Sequence, residues 1–190
     1  DGIHPGDNLV FDVEDIEEYR RFVLPFAAGA RREGKDLIYF RFAEHPPLLE
    51  EGADTVVLDP KLGFEHFVSD LVAVVEERSA SAWFVFDCLS GLAKDWYSDR
   101  MMANFFLVVC PFVLKLESLA YFALYKHSHS NHATDAIYAT AQVIIEVWTV
   151  RGASYIQPQK VENRRSDTMY MLHGMEGESF VPVTNSARTA

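Results

Sequence analysis

The chain has 190 residues, 49% of them apolar and two of them cysteine, enough to bury a sizeable core without disulfide or metal staples. It carries 17 basic against 28 acidic residues, a formal charge of −11, which argues against a nucleic-acid partner because phosphate neutralisation needs stripes of Lys and Arg. The charge is lopsided: residues 1–87 hold 8 bases and 19 acids, whereas residues 88–190 hold 9 of each.

No run approaches the roughly 18 uninterrupted apolar residues of a membrane span, and no basic-then-apolar leader opens the sequence. A soluble, cytoplasmic protein without a membrane partner is expected. Cys88 and Cys110 follow no Cys-x-x-Cys spacing, and isolated apolar-flanked thiols suit a reducing compartment. The chain starts Asp1-Gly2-Ile3, which suggests a segment cut from a longer protein.

Short apolar runs alternate with segments of helical period over the first 160 or so residues, the pattern of an α/β domain with a largely parallel sheet. Asn8 to Phe11 reads as a first strand. Ile16, Tyr19, Phe22, Val23, Phe26, Ala27 and Ala30 then recur at helical spacing up to a stop at Gly34, with Pro25 expected to kink or split the helix. Leu37 to Phe42 and Thr55 to Leu58 read as strands, separated by a loop with Pro46, Pro47 and Gly52. Phe64 to Val75 has the apolar face of a helix. Trp83 to Phe86 reads as a central strand, with Asp87 emerging at its carboxyl end. Asp99 to Leu116 reads as a helix disturbed at Pro111, and Leu119 to Tyr125 as a strand. Ala136 to Val150 starts helical and finishes as a strand near Gln142 to Val150, paired through a turn at Arg151-Gly152 with Tyr155 to Lys160. From Asn163 the chain turns polar, so residues 1–165 are expected as the domain and 166–190 as a tail or linker.

In open α/β sheets ligands bind beyond the carboxyl ends of the strands, so the candidate positions are Asp12 to Asp15, Ala43 to His45, Asp87 to Ser90 and Lys126 to His132. Asp12 is suited to cap the first helix, with Glu14 and Asp15 in its first turn. Asp87 reads either as a ligand to a magnesium-bound water or as an acid capping the Cys88-Leu89-Ser90 turn. His127, His129 and His132 form His-x-His-x-x-His, a weak metal candidate that matches no zinc spacing. Ser90 lacks the Gly-x-Ser-x-Gly context of a hydrolase nucleophile, which argues against that role.

Gly2-Ile3-His4-Pro5-Gly6-Asp7-Asn8-Leu9-Val10, Leu37-Ile38-Tyr39-Phe40 after Gly34, Phe84-Val85-Phe86-Asp87 and Leu119 to Tyr125 together resemble a RecA-type ATPase domain of the KaiC-like branch. The resemblance covers residues 2–165 or so. It implies a three-layer fold with a mostly parallel central sheet, helices on both faces and a C-terminal β-hairpin. A phosphate loop of the form Gly-x-x-x-x-Gly-Lys-Ser/Thr is replaced by Val10-Phe11-Asp12-Val13-Glu14-Asp15-Ile16, which has no glycine, lysine or hydroxyl. Asp12, Glu14 and Asp15 thus stand as a degenerate phosphate loop. A carboxylate about 4 Å from a phosphate charge would be repelled by about 4 kcal/mol at an effective dielectric near 20. Of the family's paired glutamates, Ala43-Glu44 keeps the second, leaving Glu44 and Asp87 as catalytic candidates. Lys160 and Arg164 resemble the basic run of the family's terminal hairpin, which reaches a neighbouring subunit, and stand as interface or ligand candidates.

Gly6-Asp7-Asn8-Leu9-Val10, Tyr39 to Leu48, Phe86 to Ser90 and Asn104-Phe105-Phe106, extended by Pro158 to Val161 and Ser166 to Tyr170, are similar to the amino-terminal domain preceding phosphoenolpyruvate synthase or pyruvate phosphate dikinase-like modules in large bacterial proteins. This resemblance implies a non-catalytic assembly or regulatory module, a pseudo-ATPase acting as homo-oligomer or as partner to another module of its chain. No cofactor is then expected in this domain, with ATP and magnesium belonging to the parent protein. The alternatives are a phosphotransferase, hydrolase or ATPase with a rebuilt nucleotide or metal site, and a small-molecule sensor.

Overall fold

The computed structural model describes residues 3–78, 81–177 and 179–184. Apolar runs become strands and amphipathic segments become helices in the order β1 (Asn8–Val13), α1 (Ile16–Glu33), β2 (Leu37–Arg41), β3 (Asp54–Val57), a 3-10 turn (Pro60–Leu62), α2 (Phe64–Glu77), β4 (Trp83–Cys88), α3 (Ser90–Asp95), α4 (Asp99–Lys115), β5 (Leu119–Tyr125), α5 (Asn131–Thr140), β6 (Val143–Val150), β7 (Ala153–Val161), β8 (His173–Glu176) and β9 (Ser179–Pro182). One sheet of nine strands results, in the order β3-β2-β4-β5-β1-β6-β7-β8-β9. Strands β1 to β6 pair in parallel, while β7, β8 and β9 are added by antiparallel pairing.

The strands alternate their side chains between two cores, as a pleat requires. Val10, Ile38, Phe40, Phe84, Phe86 and Phe122 face the layer formed by α2, α4 and α5. Leu9, Phe11, Tyr39, Val85 and Tyr121 face α1. On that second face Phe26 of α1 stacks on Tyr121 at a centroid distance of 3.9 Å and on Trp83 at 4.6 Å. Buried aromatics of this size each remove enough apolar area from water to contribute about 2–3 kcal/mol.

Several expectations are corrected. β1 continues to Val13, so Asp12 lies inside a strand and not at a helix start. Asp15 is the cap of α1: its carboxylate accepts from the Glu18 N–H at 3.0 Å, and the Glu18 carboxylate accepts from the Glu14 N–H at 2.8 Å, a capping box whose return bond falls one residue before the cap. α1 and α4 run unbroken through Pro25 and Pro111; both prolines are exposed, as are Arg21 and Leu107, the residues one turn earlier whose carbonyls a proline leaves without its N–H. Gly34 ends α1 at φ 64°, a left-handed cap that favours glycine. The segment expected as a polar tail from residue 166 contributes β8 and β9 to the sheet, while residues 185–190 lie outside the described ones.

At the amino edge of the sheet, Arg164 Nη1 and Nη2 meet Asp7 Oδ2 and Oδ1 at 2.9 and 3.0 Å. Both side chains are buried, at 7% and 8% exposure. Lys160 Nζ donates to the carbonyls of Tyr138 and Ala139 at 3.0 and 2.9 Å, a cation on the last turn of α5, where the helix dipole favours it. Both basic side chains expected at an interface are therefore engaged within their own chain. Removing one partner of a buried bidentate pair strands the other charge, so Arg164→Ala is expected to destabilise the fold by about 3 kcal/mol and Lys160→Ala by about 1 kcal/mol, read as urea midpoints.

Candidate functional site

The carboxyl edge of the parallel strands is shaped by one irregularity. Val85 pairs with Tyr121 and Cys88 with Ala123, so β4 spends two residues, Phe86 and Asp87, where β5 spends one. Such a bulge re-aims a side chain. Asp87 does not cap the turn that follows it; its carboxylate reaches across to β2. Oδ2 accepts from the N–H groups of Phe42 and Ala43 at 2.8 and 2.9 Å, and Oδ1 accepts from the Tyr39 hydroxyl. His45 Nε2 stands 3.4 Å from Oδ1. The Tyr39 hydroxyl in turn accepts from the Leu48 N–H at 3.1 Å, extending the network into the β2–β3 loop. Burial and the Asp87 charge push the Tyr39 phenol well above its ordinary value.

With 0% exposure and both oxygens taken by the chain's own donors, Asp87 does not fit a ligand to magnesium-bound water. Glu44, the other catalytic candidate, is exposed and accepts from Lys94 Nζ at 2.6 Å. That hydrogen bond holds its carboxyl below the usual range.

The residues expected as a degenerate phosphate loop, Asp12, Glu14 and Asp15, lie in two environments. The connection between β1 and α1 is only Glu14 and Asp15, both exposed, and the N–H groups of Glu14 and Glu18 are taken by the capping box. Asp12 is 7% exposed; Oδ2 accepts from the Tyr138 hydroxyl, whereas Oδ1 has no hydrogen-bond partner. Burial raises its pKa to about 6, against the lowering effect of the Tyr138 bond, and Glu146 pushes it further up. Lys126 beside it is shared among Glu14 at 3.9 Å, Glu146 at 3.7 Å and the face of Trp148 at 3.6 Å.

The histidines do not converge. His127 and His132 are exposed, while the His129 side chain is 4% exposed and turned inward. Among the described residues no group of three or more His, Cys, Asp or Glu side chains is arranged to hold a metal ion. Instead His129 Nδ1 lies 2.8 Å from Asp99 Oδ1, and His129 Nε2 lies 2.7 Å from Ser90 Oγ. Asp99 Oδ2 also accepts from the Ser130 N–H at 2.8 Å. These bonds, the one to His129 foremost, hold the Asp99 carboxyl below its usual range. Ser90 opens α3 one residue beyond β4, and its Oγ accepts from the Tyr125 N–H at 2.9 Å. A cavity of about 460 Å³ is bordered by Ser90, His129, Asp99, Ala43, Lys94 and Tyr125, among others. Neighbouring Cys88 is buried, which pushes its thiol up to about 12 and leaves it un-ionised.

Sequence reasoning set Ser90 among the carboxyl-edge positions but argued against it as a nucleophile, and it missed Asp99. Ser90 follows a parallel strand and His129 lies in the loop after the adjacent parallel strand, a signal visible in the pattern. Asp99 opens α4 and carries no such signal.

No protein-family model matches the chain, and no curated protein matches it. Among the described residues no helix is long and apolar enough to cross a membrane.

Two outcomes check this geometry. Replacing Asp87 by Ala leaves the Phe42 and Ala43 N–H groups and the Tyr39 hydroxyl without their acceptor, with an expected loss of about 3 kcal/mol or more in denaturant melts. Asp12 has a folded-state pKa of about 6 against an ordinary 3.8, so the folded protein binds the proton more tightly. Its contribution is fully present below pH 3.8 and is lost as pH rises through 6, by up to about 3 kcal/mol. Asp12→Asn is expected to stabilise the protein at pH 8, with the gain shrinking as pH falls below 6, measured by urea melts across that range.

Proposed function

We propose that the chain is a RecA/KaiC-like domain whose nucleotide edge is sealed, serving as an assembly or regulatory module of a phosphoenolpyruvate synthase or pyruvate phosphate dikinase-like protein. The observation that carries this reading is the β1–α1 connection: two acidic residues long, with the Glu14 and Glu18 N–H groups bound by the carboxylates of Glu18 and Asp15. An anion site at a helix start needs free, outward N–H groups and a favourable field. Here two N–H groups at the helix entry are occupied, and Glu14, Asp15 and Glu17 add negative charge around it. Six parallel strands, helices on both faces and the antiparallel β6–β7 pair support the fold side of the proposal. Under it, ATP and magnesium chemistry resides in other modules, and the domain works by contact, either with a second copy or with a module of the same chain.

A second reading, an enzyme with a rebuilt site, is favoured by one observation, the hydrogen-bonded series Ser90, His129 and Asp99. It needs no nucleotide.

Titration calorimetry of the domain with magnesium-ATP is expected to show no saturable binding at micromolar concentration; micromolar binding at unit stoichiometry would overturn the sealed edge. The complete reading frame tests the context: an ATP-grasp or phosphohistidine module in the same chain supports it, and an unrelated module removes it. Light scattering at low and high salt is expected to report self-association that Lys160→Ala leaves unchanged, because that lysine is bound within its own chain.

A further inference from the structure

The three side chains on the wall of the 460 Å³ cavity come from separate parts of the chain: Ser90 from the β4–α3 turn, Asp99 from the start of α4 and His129 from the β5–α5 loop. Their polarity is set by what each can donate. A carboxylate only accepts, so His129 Nδ1 carries the hydrogen toward Asp99, and Ser130 N–H fills the second oxygen. Nε2 is then the acceptor facing Ser90 Oγ at 2.7 Å. The Tyr125 N–H already donates to Oγ, so the hydroxyl hydrogen is left to point at Nε2. We propose that Ser90, His129 and Asp99 form an activated serine nucleophile that accepts the acyl group of a small uncharged ester, with His129 as general base and Asp99 as its orienting carboxylate. This goes beyond the module reading and does not depend on it.

The surroundings select the substrate class. Lys94 at the rim is already paired with Glu44, and Asp99 and Glu44 disfavour an anionic ligand. Ala43 and Ala93 supply apolar wall, and the volume suits a small molecule. A Cβ on Gly91, next to the serine, would meet the Ala43 Cβ at 2.9 Å, so only glycine lets the serine turn lie this close to the β2 loop. Chemically, Ser90 Oγ bonds to the acyl carbon while its proton passes to His129 Nε2. The bond to the leaving oxygen then breaks, and that oxygen takes the proton from Nε2. Water, activated by the same nitrogen, adds to the acyl-serine and releases the carboxylic acid, restoring the hydroxyl.

The competing role is a purely structural clamp joining the three segments. Both are read on the folded wild-type domain with an uncharged alkyl fluorophosphonate and, separately, with p-nitrophenyl acetate. The expected results are a single fluorophosphonate adduct mapped to Ser90, an acetyl adduct at the same residue, and a burst of nitrophenolate. Ser90→Ala is expected to abolish both adducts, and His129→Gln to slow labelling by about 100-fold or more while circular dichroism stays unchanged. Absence of any wild-type adduct at Ser90, or equal labelling rates for wild type and folded His129→Gln, would overturn the proposal and leave the clamp.

Discussion

A carboxylate with no contact with water has to be given donors by the protein, and Asp87 is that carboxylate. Isolated burial of such a charge costs far more than a domain of this size has in net stability. The bulge at Phe86 and Asp87 solves the problem by carrying the side chain across to β2, where two backbone N–H groups and a tyrosine hydroxyl surround it. The solution fixes more than one residue. It ties the carboxyl end of β4 to the start of the β2–β3 loop and, through Tyr39 and Leu48, to the middle of that loop. The cavity at this edge has part of its wall set by that tie, since Ala43 and His45 on one side meet the carboxylate and Cys88 and Ser90 on the other follow it in the chain.

The same edge shows two opposite uses of acidic side chains. At the start of α1, Asp15 accepts from the Glu18 N–H, one of the orphan donors of the first turn, and Glu18 accepts from the Glu14 N–H before the cap. At Asp99 a carboxylate accepts from a buried histidine whose other ring nitrogen faces a serine beside the cavity. One arrangement pairs acids with backbone donors and the other pairs an acid with an imidazole. Lys126 is shared between Glu14 and Glu146, close to the half-satisfied Asp12.

Away from this edge, the polar network at the amino side of the sheet is structural. Asp7 and Arg164 are far apart in sequence and meet because β7 returns antiparallel to β6 and delivers residue 164 beneath the start of β1. Lys160 on the same strand ends on the carbonyls of α5. Basic residues near a chain's polar end look like surface charges in a linear reading. They become buried fastenings once the terminal strands join the sheet.

By itself the sequence determined the α/β character, β5 to the residue, the stop of α1 at Gly34 and the turn at Arg151-Gly152, because each follows from local periodicity or backbone chemistry within a few residues. It also marked the carboxyl edge as the place to look, and it placed acids where a phosphate loop would need glycine and lysine. Only the tertiary structure decided what those residues do. Asp12 left the helix cap for a strand because neighbouring β5 and β6 extend the pairing of β1 to that point. Asp87 turned to β2 because of a bulge visible only in register. His129 parted from His127 and His132 because its partners, Ser90 and Asp99, lie 39 and 30 residues away in the chain. Side-chain hydrogen bonds between distant segments depend on which strands lie side by side, and that order is a property of the folded sheet that no local pattern encodes.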